Sequence, residues 1–206
     1  MKRITRALIL SILTGFCFTA TSNADLAVTE IMIESLHTGD WWELTNTGPS
    51  SVDLTGYSWD EENRSTGRNA FESVTIAADE SIILLKAWDS GEVDYWISLW
   101  PLGSGVYVYG SWWDNEFSND GEGVFIYNAS DVLVTSVEYT IAAFAASNEW
   151  HPDGTFLGIS VIGENGAYES SGVPPDVGSP GYAVPEPATV FLLGLGSLAL
   201  LRKRRR

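Results

Sequence analysis

The chain has 206 residues, of which 27 are acidic, 11 basic and two histidine, for a net charge of −16. Such an excess of carboxylates repels phosphate backbones, which proteins hold through Lys and Arg, so nucleic-acid binding is excluded as a function class. The single cysteine, Cys17, leaves no disulfide framework, and stability must come from burial.

In chain order the first element is a targeting segment. Lys2, Arg3 and Arg6 precede an apolar run over residues 7–18, and small residues at Ser22 and Ala24 close it. The pattern predicts a signal peptide over residues 1–24, cut between Ala24 and Asp25. The run falls short of the ~20 apolar residues that a spanning helix needs. Phe16 stands where a lipidated cysteine at position 17 would be preceded by a small residue, which argues against lipid attachment.

From Asp25 onward the apolar residues come in short runs separated by Gly, Asn, Asp and Pro, the signature of β-structure. Residues 26–34 predict a first strand. Its alternation places Leu26, Val28, Glu30, Met32 and Glu34 on one side and Ala27, Thr29, Ile31 and Ile33 on the other. Residues 41–45 follow, ended by Asn46-Thr47-Gly48-Pro49, a strong turn. Strands are expected at 52–59, 73–76 and 81–86, then at 123–127 and 132–139, which flank Asn128-Ala129-Ser130-Asp131 as a hairpin. A last strand is expected at 156–162. One helix interrupts the series: Val93, Trp96, Ile97 and Trp100 recur at helical spacing, Asp89 and Glu92 can form a capping box, and Pro101 stops it. Many short strands with turns between them favour a two-sheet sandwich.

From Ser170 the composition shifts to Ser, Gly and Pro, predicting a linker over residues 170–184. Residues 188–201 carry no charge and are followed by Arg202-Lys203-Arg204-Arg205-Arg206. As a helix, residues 188–201 span only about 21 Å at 1.5 Å per residue, which suits a transient membrane stop better than a permanent anchor. Without the two end segments only Arg64, Arg68 and Lys86 remain basic, against 26 acidic residues, so the exported part carries −23.

Pro185-Glu186-Pro187, the apolar segment and the basic cluster together resemble the PEP-CTERM sorting signal of exopolysaccharide-producing bacteria. The resemblance implies that an exosortase recognises the tail, residues 185–206, and cuts near the tripeptide. Basic residues stay on the cytoplasmic side, so the remainder would lie outside the inner membrane. An ordinary single-span anchor is the alternative, with the same sidedness.

Residues 25–169 resemble the lamin-tail domain, an immunoglobulin-like β-sandwich. The matching pieces are Val28-Thr29-Glu30-Ile31-Met32, Trp42-Glu43-Leu44-Thr45-Asn46, Val52-Asp53-Leu54-Thr55-Gly56-Tyr57, Phe117-Ser118-Asn119-Asp120-Gly121-Glu122, Val137-Glu138-Tyr139 and the closing Gly178-Ser179-Pro180-Gly181. The resemblance implies no shared catalytic residues. An aromatic insertion from Trp88 to Trp113 departs from the family's simplest form.

The chemistry legible in the residues is sparse. A hydrolase would need a nucleophile with its base, or a metal held by His and carboxylates. The exported part has only His37 and His151, both read as loop residues, no cysteine and no Gly-x-Ser-x-Gly elbow. Asp60-Glu61-Glu62, Asp114-Asn115-Glu116 and Asn119-Asp120-Gly121-Glu122 are either calcium sites or solvated turns. All nine tryptophans lie after residue 24. Adjacent strand residues point to opposite faces, so one ring each of Trp41-Trp42 and Trp112-Trp113 is expected to be exposed if one sheet face is wet. Such rings could stack on carbohydrate or lie buried under the insertion. The expectation is an exported, non-enzymatic surface or matrix protein without cofactor, handled by signal peptidase and an exosortase-type enzyme and associated with exopolysaccharide. A carbohydrate- or calcium-binding adhesin and a secreted hydrolase are the alternatives.

Overall fold

The computed structural model describes residues 26–63, 67–103, 106–111 and 117–182. The expected signal peptide, the sorting tail, Trp112-Trp113 and the cluster Asp114-Asn115-Glu116 lie outside these residues.

The fold is an all-β, immunoglobulin-like sandwich with one helix. Fourteen strands run β1 (Leu26–Met32), β2 (Trp41–Asn46), β3 (Val52–Asp53), β4 (Ser58–Asp60), β5 (Asn69–Ala70), β6 (Thr75–Ile76) and β7 (Ser81–Lys86). After α1 (Ser90–Leu99) come β8 (Val106–Ser111), β9 (Glu122–Tyr127), β10 (Leu133–Tyr139), β11 (Asn148–Trp150), β12 (Phe156–Ile159), β13 (Tyr168–Glu169) and β14 (Val177–Gly178). One sheet has the order β12-β11-β1-β2-β7-β8 and the facing sheet β10-β9-β4-β5. Pairing is antiparallel except between β7 and β8, which α1 joins as a crossover. The expected hairpin forms: Asn128 Oδ1 accepts from Ser130 N at 2.9 Å and Val132 N at 3.1 Å.

Two apolar cores sit on opposite faces of the six-stranded sheet. Between the sheets lie Val28, Ile31, Trp42, Leu44, Trp59, Ile82, Leu84, Val124, Ile126 and Trp150. On the other face Met32, Trp41, Ile83 and Leu85 meet Trp96, Leu99 and Trp100 of the helix end. This second core is the burial under the insertion that the paired tryptophans allowed, with neither sheet face wet at Trp41 or Trp42. Both are fully buried, because the second sheet face is roofed by α1. Trp41 meets Trp96 and Trp100 edge-on at 5.5 and 5.8 Å, while Trp42 meets Trp59 at 5.1 Å on the opposite side.

The alternation read along β1 also needs correction. Its register against β2 shifts between Val28 and Glu30, a bulge that reverses the face of everything after it. Leu26, Val28, Ile31 and Ile33 therefore share the inter-sheet core, while Met32 joins the helix-side core. Every residue of β1 and β2 is buried.

The helix forms as its capping signals dictate. Asp89 Oδ1 accepts from Gly91 N at 2.8 Å and Glu92 N at 3.1 Å, and Glu92 accepts from Trp88 N at 2.7 Å. It docks because Gly110 on β8 leaves room: a Cβ there would come within 2.3 Å of Val93 Cγ2.

The expected linker is the largest departure. Residues 170–182 are folded into the domain, with β14 pairing β13 and Val177 bridging Ala146. Asp176 is buried and accepts from Ser35 Oγ and Leu36 N, both at 2.9 Å. Composition alone suggested a free segment because its anchors are backbone amides and single polar side chains, which leave no hydrophobic periodicity.

Candidate functional site

The polar chemistry of the domain is concentrated in two carboxylate arrays. The first is a row of three buried glutamates across adjacent strands. Glu30 on β1 lies opposite Glu43 on β2 and opposite Glu149 on β11. Like charges placed opposite one another are unfavourable, so this row needs neutralisation or donors.

Donors converge on it from distant parts of the chain. Glu30 Oε1 accepts from Ser147 Oγ and from Ser179 N at 2.7 Å. Glu43 accepts from Thr29 Oγ1 at 2.5 Å, from Thr45 Oγ1 at 3.3 Å and from Gly181 N. Glu149 accepts from Ser160 Oγ at 2.6 Å and Asn165 Nδ2 at 3.1 Å. The row is thus the clasp that holds residues 179–181 against the sheet.

Glu30, Ser147, Ser160 and Glu149 form an unbroken chain of three oxygen-to-oxygen hydrogen bonds. Burial, aided by the facing Glu43, pushes the Glu30 carboxyl well above the usual carboxylate range, against the opposing bonds from Ser147 and Ser179. Burial also raises Glu43, against the opposing bonds from Thr29, Gly181 and Thr45. Glu30 Oε2 is buried and has no hydrogen-bond partner, as expected of a site where full charge would be costly.

The second array is open. Residues 60–62 and 118–123, separate clusters in the sequence, meet in a groove of about 650 Å³ lined by Glu61, Glu62, Glu122 and Glu138 with Asn63 and Ser118. Glu122 accepts from Ser118 N at 2.7 Å, an intraloop tie, and the Tyr139 hydroxyl donates to Ser118 O at 2.8 Å. Among the described residues no group of three or more His, Cys, Asp or Glu side chains is spaced to hold a metal ion.

The histidines are both placed in loops. His37 Nε2 lies 2.6 Å from Pro174 O, and His151 Nδ1 lies 3.3 Å from Asp153 Oδ1. His37 N donates to Ser35 Oγ at 3.3 Å, and that hydroxyl in turn donates to Asp176. Exposed aromatic rings occur at Trp88, Tyr95 and Tyr107 within the insertion and at Phe144, Phe156 and Tyr182 outside it. Sequence reasoning missed Glu30, Glu43 and Glu149 as a group because they become neighbours only through strand register across 119 residues of chain.

Comparison with known proteins agrees with this architecture. The family model of the lamin tail domain matches residues 19–140, and that of the PEP-CTERM protein-sorting motif matches residues 183–206. No curated protein matches the chain at a significant level. The sorting motif begins at residue 183, and it marks a protein exported to the cell envelope or surface and handled by an exosortase-type enzyme. The chain is a member of the lamin tail domain family that carries a PEP-CTERM sorting motif.

Proposed function

We propose that the protein is a non-enzymatic surface or matrix component, cut near Pro185-Glu186-Pro187 and associated with the cell's own exopolysaccharide. The observation that supports this reading best is the adjacency of a clasped domain end and the sorting motif. The tripeptide's prolines fix φ and keep the preceding residues extended, a form a processing enzyme can thread. Residues 188–201 hold the tripeptide at the outer boundary of the inner membrane, and Arg202–Arg206 stop further transfer.

Mass spectrometry of the protein from an exosortase-bearing host tests the processing. The wild type should end near residue 187, and replacement of Pro185, Glu186 and Pro187 by Ala should leave an uncut, membrane-associated precursor. A mature wild type that retains Arg206 would establish a plain anchor instead. Sedimentation of the processed protein with the host's polysaccharide tests the partner.

The exposed rings of Trp88, Tyr95 and Tyr107 favour carbohydrate stacking as a second reading, that of an adhesin module. Loss of polysaccharide binding on replacing these three by Ala would distinguish it from a spacer. A hydrolase screen on the same polysaccharide addresses the enzymatic alternative.

A further inference from the structure

We propose that, before the tail is cut, the domain rests on the outer surface of the inner membrane through the apolar turn that follows β12, with Val161 and Ile162 as the inserted residues. This rests on the sorting reading above. Two independent observations carry it: where the chain leaves the domain, and what surrounds that point.

The exit is fixed. Tyr182 N donates to Ser179 O at 2.9 Å, the Tyr168 hydroxyl donates to Pro180 O at 3.2 Å, and Gly181 N donates to Glu43. The Tyr182 ring lies on Gly166, where a Cβ would come within 2.1 Å of it. Gly166 belongs to the turn 161–167, itself closed by Glu164 N to Val161 O at 2.9 Å, Ala167 N to Glu164 O at 2.7 Å and Gly163 N to Ala167 O at 2.8 Å. Exit and turn are one rigid corner.

That corner presents apolar side chains, with Glu164 as the one charged residue of the turn. Val161, Ile162 and Tyr182 are 52%, 57% and 51% exposed, and Ile159 at the end of edge strand β12 is 47% exposed. Residues 155–163 carry no charge. Only six Cα steps separate Tyr182 from Ala188, the first residue of the apolar segment, and they reach at most about 21 Å. A domain of this size has a radius of gyration of about 15 Å, so its far pole cannot approach the bilayer while this corner is tethered to it. Branched aliphatic side chains and a tyrosine held at that height match the chemistry of the interfacial zone, where apolar groups enter and phenol rings sit among headgroups. The net charge of −23 opposes contact of any other face with anionic lipid.

The test uses the precursor Asp25–Arg206, which contains no cysteine, in phosphatidylethanolamine–phosphatidylglycerol vesicles with a headgroup-attached quencher. A fluorophore is placed at Glu164→Cys beside the turn, or at Ser130→Cys in the β9–β10 hairpin of the other sheet. Both chains should float with the vesicles, and the Glu164 position should be quenched at least about threefold more, as insertion to headgroup depth requires. In the Glu164→Cys background, Val161→Asp with Ile162→Asp should abolish that preference while flotation persists. These side chains are exposed, and an unchanged melting temperature verifies folding. Equal quenching at the two positions would overturn the proposal. A preference that survives the two aspartates would also overturn it, assigning orientation to the tether alone. Failure of the unsubstituted precursor to float would overturn the sorting premise, and the proposal with it.

Discussion

Replacing Glu30 by Gln should make the protein less sensitive to rising pH, and the size of the effect follows from the clasp. The folded-state affinity of Glu30 for its proton is raised by burial and by Glu43 across the strand pair, whereas in the unfolded chain it returns to about 4.3. Below that value both states are protonated and Glu30 contributes nothing to pH dependence. Above it the unfolded state loses the proton first. Stability then falls by about 1.4 kcal/mol per pH unit until the raised folded value is passed, and stays at the lower level beyond it. The direction is opposite to that of a salt-bridged carboxylate. The amide of Gln retains an oxygen for Ser147 and Ser179 N but cannot ionise. One kcal/mol corresponds to roughly 3 °C for a domain of this length. Urea denaturation of both proteins between pH 4.5 and 8 isolates the site, because mutual repulsion among the other carboxylates is common to both. The variant should gain on the wild type as pH rises. A difference independent of pH, or one that moves against the variant, would refute the assignment of the proton to this row.

Asn46 is fully buried and donates to Ser50 O, Ile76 O and Ala77 O at 2.8, 3.1 and 3.0 Å while accepting from Gly48 N at 3.0 Å. Asn46→Ala should therefore cost about 3 kcal/mol in chemical denaturation, the penalty of leaving several buried backbone groups unpaired. Gly178→Ala would place a Cβ 2.7 Å from Glu30 Oε1, so it should loosen the clasp, speeding proteolysis within residues 170–182 before the sheets are attacked. Calcium and magnesium at equal millimolar concentration should raise the melting temperature equally, by screening 26 carboxylates rather than by filling a site; a calcium-specific rise would point to the groove around Glu61 and Glu122.

The sheets were legible because their signals are local. The apolar runs at 41–46 and 81–86, the Asn128–Asp131 turn and the Asp89 cap each declare themselves within a few residues. What stayed hidden depends on partners distant in the chain. The bulge between Val28 and Glu30 shows no glycine or proline, so strict alternation put Glu30 and Val28 together when they face apart. Whether both Trp41 and Trp42 are buried cannot be read until α1, some fifty residues later, is known to roof Trp41. Strand β8, beyond the helix, carries too little alternation to separate it from a loop. The clasp is invisible for a related reason: its donors are backbone amides of Ser179 and Gly181, which every residue type but proline possesses.

Strand β1 lies in the middle of the six-stranded sheet although it is the first described element, and its outer neighbour β11 begins 122 positions after Leu26. A polypeptide exported amino end first therefore delivers an interior strand long before the strands and amides that seal it, which arrive with residues 148–181. Seen as a temporal sequence, the sandwich cannot complete itself until nearly the whole domain has emerged, when the sorting motif is the next stretch to follow. The last strands and amides that close the fold thus stand directly ahead of the sorting motif in the chain.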